Sequence, residues 1–428
     1  MSEAQSKLRS VNCTQCGAPL TLHGGHKVES LTCGYCGSML DAHDDYKIIT
    51  QYKNLQRPYC PIKIGMSATI MDVQFTAIGM IAYRDEEGFA WVEMAMYSPT
   101  HGYAWLEYDH GHFVFIRRTR ELPETHGALH YKARFGAAGR RYTVHSNYHA
   151  KVFFVEGEMT FVAKVGDQTR VIEGIDPPFG YAVEMTEDEQ EYLLSQYLEP
   201  EDVYQAFGID ADEIRDRHTV HALQPYKTSG FIGGLKMAAI IFTPIALLLL
   251  LYTVVFGSGT RILHQQFTSQ QIYAKTGVAT RTFTVTDTEN LICLELHSPF
   301  NNSWGYFDVV IKKNNEPVFS MAKEISYYSG GSGEDSWSEG STEAGAFFRA
   351  PSTGEYSLEI FAEGGTGYRG RNPSRAPVVV SITEGVKVSR YYFILTVLCL
   401  AAFAGSWLAR RRFEAARWED DEDDDDDD

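Results

Sequence analysis

Apolar and polar positions alternate along most of this chain. Between Ile48 and Gln224 they do so in short runs bounded by turn residues. The stretch IKIGMSATIMDVQFTAIGMIAYRDEEGFAWVEMAMY predicts strands separated by glycines and an Asp-Glu-Glu-Gly turn. GYAWLEYDHGHFVFIRR predicts a hairpin turning at Asp109-His110-Gly111. RRYTVHSNYHAKVFFVEGEMTFVAKVGDQTRVIEGI repeats that style, with a turn at Val165-Gly166-Asp167. Residues 48–224 therefore read as one β-rich domain or as a diverged tandem of 48–122 and 128–224. Its C-terminal end predicts helix. Thr186 to Glu189 has the form of a capping box ahead of QEYLLSQYL. Pro200 suits the first turn of a second short helix that places Val203, Ala206 and Phe207.

A second alternating region, 257–390, predicts about eight strands and a β-sandwich. Ser329 to Ser341 reads as a long polar loop in it, and its acids Glu334, Asp335 and Glu339 as solvated. Two apolar runs flank this region. Met237 to Phe256 is 20 residues without a charge, and Tyr391 to Ala409 is a further 19. About 20 apolar residues cross a hydrocarbon core of ~30 Å. Transmembrane helices are expected at 231–256, kinked at Pro244, and at 391–409, with Tyr391, Tyr392 and Trp407 as interfacial aromatics. Arg410, Arg411, Arg412 and Arg417 follow the second run, and Lys227 and Lys236 precede the first. The positive-inside rule then places both termini in the cytoplasm and 257–390 outside it, in the periplasm or its equivalent, the topology of a two-pass membrane protein. The arginines after the second run can also meet anionic headgroups.

Charge and cysteine usage refine this picture. The net charge is −18, of which Glu419 to Asp428 supply −10, so the body is mildly acidic and 410–428 is a basic flank with an acidic tail expected to be disordered. The leader 1–12 is also expected to be disordered. Four of the seven cysteines, Cys13, Cys16, Cys33 and Cys36, stand as C-x2-C-x16-C-x2-C. Two such knuckles offer a tetrahedral thiolate set with no vacancy, so 13–47 is expected to be a zinc ribbon holding structural zinc. His23 and His26 read as loop residues. The segment has no basic excess, which argues against nucleic acid as its partner. Cys293 reads as a semi-buried free thiol.

The remaining polar residues have plain readings. His101, His110, His112, His145 and His149 are expected at turns and surfaces. Trp91-Val92-Glu93 and Trp105-Leu106-Glu107 read as core tryptophans with glutamates toward solvent, the alternative being an acid–aromatic binding face. Glu156 and Glu158 flank Gly157 without forming an acid–base pair. No nucleophile elbow, phosphate loop, dinucleotide fingerprint or H-E-x-x-H pattern occurs, so the chain reads as non-enzymatic.

The stretches IGMSATIMDVQFTAIGM, GFAWVEMAMY, GYAWLEY, FVEGEMTFVAKVGDQTRVIEGIDPP and YLEPEDVYQAFG together resemble a bacterial family called domain of unknown function 4178, over roughly 60–220. Phe161 stands where the pattern leads one to expect tryptophan. The resemblance implies an accessory of a membrane system, encoded near relatives of phage-shock protein A and spermidine-synthase-like proteins. The expected fold class is mainly β: ribbon, cytosolic β-rich domain with a short helical end, and a sandwich between two membrane helices. The expected function is a scaffold or sensor in an envelope-stress or membrane-remodelling system. It would recruit a cytosolic protein such as a phage-shock protein A relative. The alternative is a domain that binds or processes a small molecule such as a polyamine, with Glu93 and Glu107 in its site.

Overall fold

A computed structural model describes residues 9–125, 127–187, 189–210, 219–273, 279–366 and 376–418. Strands hold 48% of the chain and helices 18%, so the fold is mainly β. The chain divides into one unit formed by 1–228 with 407–428, and a second formed by 229–406.

The first unit begins with β1 (Arg9–Asn12), β2 (Pro19–Leu22), β3 (Ser30–Thr32), β4 (Ser38–Asp41) and β5 (Ile48–Gln51). It continues with β6 (Ser67–Ile70), β7 (Val73–Arg84), β8 (Ala90–Ser98), β9 (Gly102–Asp109), β10 (His112–Thr119) and β11 (Arg134–Ala137). The long β12 (Arg140–Met159), β13 (Gln168–Asp176), β14 (Phe179–Met185), β15 (Gln190–Leu198) and helix α1 (Pro200–Phe207) complete it. Strands follow the order β7-β8-β9-β10-β15-β14-β13-β12, and β12 pairs back onto β7 through Val152 to Gly157. All these pairings are antiparallel, so the sheet closes into an eight-stranded barrel to which both alternating stretches contribute. Closure removes the free edges that an open sheet of these apolar strands would present. Bulges at Ala77/Gly79 and Val152/Phe154 shift the register on the two strands of the closing seam, where added twist is needed. Gly79 faces Gly157 there, and a Cβ on Gly79 would lie 2.3 Å from the Glu158 carbonyl oxygen.

Outside the barrel wall, Phe75, Met80, Met94, Leu106, Phe113 and Phe115 pack under Ile62 and α1. Val203, Tyr204 and Phe207 are the buried face of α1, whereas Ala206 is exposed. The αL residue Gly208 ends the helix, its N–H meeting the Gln205 and Tyr204 carbonyls.

The helix expected over QEYLLSQYL is instead strand β15. Leu193 and Tyr197 pack in the barrel interior, while Tyr192 and Leu194 join an apolar cluster outside. A strand apolar on both faces has no clean period of two, and its Leu193-Leu194-Tyr197 spacing imitates a helical stripe. Thr186 and Glu189 make a tight turn, with Thr186 N–H donating to the Glu189 carbonyl and Glu189 N–H to Thr186 Oγ1. Asp188 of that segment lies outside the described residues. The leader also departs from expectation, since its last four residues form β1 on β2; residues 1–8 lie outside the described set.

The second unit holds helix α2 (Gly230–Phe256), then β16 (Thr260–Phe267), the short α3 (Ser269–Ile272), β17 (Ala279–Val285), β18 (Ile292–His297), β19 (Ser303–Lys313) and β20 (Glu316–Gly330). It ends with β21 (Trp337–Ser341), β22 (Glu343–Phe348), β23 (Gly354–Thr366), β24 (Val378–Glu384) and helix α4 (Arg390–Trp418), which runs on into the first unit. Its strands form sheets ordered β16-β24-β18-β22 and β17-β23-β19-β20-β21. One apolar core joins them, including Phe307, Val309, Ile311, Leu358, Val380 and Ile382, all fully buried. The expected polar loop 329–341 is in part strand β21 on β20. Cys293 is buried, and Glu384 is held by Thr286 and the Asp287 N–H.

Helices α2 and α4 are long and apolar enough to cross a membrane. In α2 only Ala239, Ala246 and Thr253 are buried, a seam of small side chains seven residues apart, while Leu235, Leu247, Leu248, Leu249 and Leu251 face outward. A helix apolar on every face has no reason to expose leucine to water. Pro244 lies within continuous helix, and Thr243 Oγ1 donates to the Ala239 carbonyl one turn back. Helix α4 continues past the apolar run to Trp418, and the acidic tail 419–428 lies outside the described residues.

Candidate functional site

The barrel lumen is the first candidate. Period-two alternation puts Trp91 and Glu93 on one side of β8, and Trp105 and Glu107 on one side of β9. That side is the interior. The glutamates do not point to solvent, because residues two apart share a face and the tryptophans turn inward. Glu93 and Glu107 are cross-strand partners. Glu173 on β13 and Glu184 on β14 face the same cavity, with Tyr83, Trp91, Tyr148 and His221. The cavity holds about 80 Å³. At 10–15 Å³ per enclosed water, that is room for several waters or a slender ligand. Eight-stranded barrels of this size either fill with side chains or keep space for one small molecule.

Local contacts fix these carboxyls. Trp91 Nε1 donates to Glu93 Oε1 at 3.2 Å. Tyr148 Oη and Ser146 Oγ each donate to Glu173 at 3.0 Å. His221 Nε2 lies 3.6 Å from Glu107 Oε1. Tyr83 stacks on Trp91 at 5.5 Å between centroids, and Tyr148 meets Trp91 edge-on at 5.7 Å. No lysine or arginine lines this cavity among the described residues. Burial, reinforced by Glu107, pushes the Glu93 carboxyl up to about 8. Burial and the charges of Glu93, Glu191 and Glu173 raise Glu184 to about 8. Glu107 is held well above the ordinary carboxylate range by burial and by Glu173. Burial lowers His221, which leaves its imidazole neutral near pH 7. The lumen is thus acid-rich, lined by no lysine or arginine among the described residues and walled by aromatic faces, which together attract ammonium-type groups.

The second candidate is the cysteine set. Two turns, each closed by a glycine with positive φ (Gly17 and Gly37), bring Cys13, Cys16, Cys33 and Cys36 together. The four sulfurs lie within 4.8 Å of one another. Cys13 and Cys36 are 3.7 Å apart, and Cys16 and Cys33 3.9 Å. A tetrahedron of sulfurs about 2.3 Å from one ion has edges of about 3.8 Å, so the set fits a possible metal site. Among the described residues no other group of His, Cys, Asp or Glu converges this way, so the lumen acids are not gathered as a metal cluster.

The cysteine module is an extension of the barrel sheet. Strand β3 pairs with β12 over Gly157 to Met159, and β4 and β5 continue outward. Glu158, fully buried, accepts from His23 N–H at 2.6 Å and from Gly24 N–H at 3.0 Å. Two backbone donors bind one carboxylate, so Glu158 is a docking residue.

Other residues sit differently from expectation. His112 is buried rather than at a turn surface, its ring nitrogens bonded to Tyr197 Oη and the Thr219 carbonyl. His145 is also buried, with Nε2 on the Arg417 carbonyl at 2.9 Å. Each lies on a strand that closes over later chain, which local sequence does not reveal. His149 is exposed near Glu86, and His110 pairs with Asp109 at the predicted turn. Sequence reasoning did not single out Glu173, Glu184 or His221. Glu173 and Glu184 lie in apolar alternation on the inward parity, and that was the available signal.

The fold and site define a closed antiparallel barrel with a carboxylate-lined lumen and an attached four-cysteine module. Residues 63–200 match the model of the family described as Domain of unknown function (DUF4178), which supports the family placement drawn from the strand patterns. No curated protein matches the chain. Among solved structures, an insecticidal delta-endotoxin of Bacillus thuringiensis shares 9% identity over 74% of this chain at a TM-score of 0.15. The match spans about half, 53%, of that protein. An exo-β-1,3-galactanase of Phanerochaete chrysosporium shares 9% over 87% of this chain and 99% of its own at 0.16. Likeness at these scores extends to neither fold nor function.

Proposed function

We propose that this protein is a membrane-anchored receptor whose barrel lumen takes a small organic cation of the amine class. One observation carries the reading: four glutamates, from β8, β9, β13 and β14, face one aromatic-walled cavity that no lysine or arginine lines among the described residues. Burying carboxylates without counter-charge is costly, and a bound ammonium group offsets that cost by ion pairing and by contact with Tyr83, Trp91 and Tyr148. A polyamine is the natural probe. The four cysteines hold structural zinc, whose binding energy folds a module too small for its own core. Helices α2 and α4 cross a bacterial inner membrane twice and leave both termini, ribbon and barrel in the cytoplasm.

The test is calorimetry of the full chain in mild detergent with putrescine, spermidine and a neutral diol of similar length. We expect micromolar binding of the amines only, lost in Glu93→Gln/Glu107→Gln. Absence of heat with every amine, or heat unchanged in the double variant, overturns the reading. A scaffold that recruits a cytosolic protein is the second reading. It rests on the ribbon, which Glu158 and β3 fasten to the barrel and whose β5 is largely exposed. A stoichiometric partner that co-purifies with the full chain and is lost in Cys13→Ser/Cys16→Ser supports it.

A further inference from the structure

Lys132 lies on the loop before β11, far in sequence from the arginines after the second apolar run, yet the fold brings them to one concavity. Leu408, Arg411, Arg412, Ala415 and Trp418 recur at spacings of three and four, so they share one face of α4. That face and Lys132 line an open groove of about 570 Å³. Leu408, Ala415 and Trp418 give it apolar lining, and Lys132, Arg411 and Arg412 give it positive charge.

The packing that builds this groove is specific. Trp418 stands edge-on to Tyr131 at 6.0 Å and lies 4.9 Å from the His145 ring. Lys132 Nζ sits 4.6 Å above Tyr131 and 5.9 Å from Trp418. Arg411 stacks over Trp407 at 4.4 Å. The groove's one acid, Glu414, is taken by Arg417 at 2.9 Å, and Arg417 also donates to the Gln224 carbonyl. Among the described residues no ion pair engages Arg412.

We infer that this groove binds the phosphate headgroup of an anionic phospholipid, with Lys132, Arg411 and Arg412 on the phosphate and the upper acyl chain along Leu408, Ala415 and Trp418. The pairing of cationic and apolar side chains in one groove selects an anionic amphiphile over a soluble anion. Its position directly after a 19-residue apolar run puts it at headgroup level. The inference rests on the membrane reading above and is independent of what the lumen binds.

The experiment is native mass spectrometry of the full chain in mild detergent, titrated with phosphatidylglycerol, phosphatidylcholine or inorganic phosphate. We expect phosphatidylglycerol retained at least about tenfold over phosphatidylcholine, with phosphate unable to compete at equal concentration. Lys132→Gln, an exposed substitution away from the arginine flank, should remove most of that preference, as should R411Q/R412Q. Lys227→Gln, outside the groove, should keep it. Equal retention of both lipids, or a preference that survives Lys132→Gln, overturns the inference. Phosphate competing as well as the lipid replaces it with a soluble-anion site. A preference seen only after deletion of Glu419 to Asp428 makes the acidic tail the occupant and also overturns it. A chain that stays in aqueous solution without detergent fails the membrane reading. A chain that needs detergent but shows no lipid preference fails this inference alone.

Discussion

Replacing Glu93 with glutamine should stabilise the empty protein and weaken its ligand binding. The side chain keeps its shape, and its carbonyl oxygen still accepts from Trp91 Nε1. What changes is the ionisable group. The Glu93 carboxyl moves from an ordinary 4.5 to about 8 in the folded lumen, through burial and then the charge of Glu107. Between those values the folded state holds a proton that the unfolded state has released. Stability from this group is therefore fully present below about 4.5 and is lost as pH rises through about 8. One such proton changes the folding free energy by about 1.4 kcal/mol per pH unit. Across this window the wild-type penalty grows to a few kcal/mol, which glutamine does not incur. For a domain of 150–250 residues each kcal/mol moves Tm by about 2–4 °C. The Tm of the barrel transition, followed by tryptophan fluorescence in full-length protein, should match wild type near pH 5 and exceed it by on the order of 10 °C near pH 8. Calorimetry at pH 7.5 should show weaker amine binding in the same variant. A Tm difference constant from pH 5 to 8.5 would refute the assignment of Glu93 to a desolvated, carboxylate-crowded lumen.

Other expectations are as direct. Cys33→Ser should abolish metal retention, measured by elemental analysis, and expose ribbon amides to hydrogen exchange while β8 to β10 stay protected; persistent ribbon protection would count against a metal-folded module. Glu158→Ala leaves the His23 and Gly24 N–H groups without their acceptor, a cost of about 1–3 kcal/mol. Amide exchange at 23–28 should accelerate at least tenfold. Gly79→Ala sets a Cβ 2.3 Å from the Glu158 carbonyl, forces β7 and β12 apart, and should lower the barrel Tm by at least several degrees. Leu248→Arg, at an outward-facing position of α2, should reduce membrane integration by about 2.5–3.5 kcal/mol of insertion free energy, read by carbonate extraction.

Much of this protein follows from local pattern. Four cysteines at C-x2-C-x16-C-x2-C announce a tetrahedral donor set, because each knuckle is a local turn and needs only one partner knuckle. Two uncharged apolar runs require long helices by themselves, since their backbone groups can be satisfied within each segment. Strand-rich regions on either side of the first run are legible through period-two alternation. Pro200 and Gly208 mark both ends of α1 for the same local reason.

Only the tertiary structure decided what lies inside the barrel. Alternation puts Trp91 and Glu93 on one face, but whether that face is wet depends on β12 returning to β7 some 70 residues later to close the sheet. The same closure turned QEYLLSQYL from a helix-like pattern into a strand with a buried inner face and a partly buried outer one, and drew His112 and His145 out of water. Glu173, Glu184 and His221 join Glu93 and Glu107 across strands distant in sequence, so no window along the chain contains the site. Lys132 meets Arg411 and Arg412 for a similar reason, because Trp418 packs against Tyr131. Local sequence determines which elements form, since backbone hydrogen bonding and side-chain period act over a few residues. The chemistry of this protein arises from long-range pairing, which alone determines which polar groups lose their water and which charges must share a cavity.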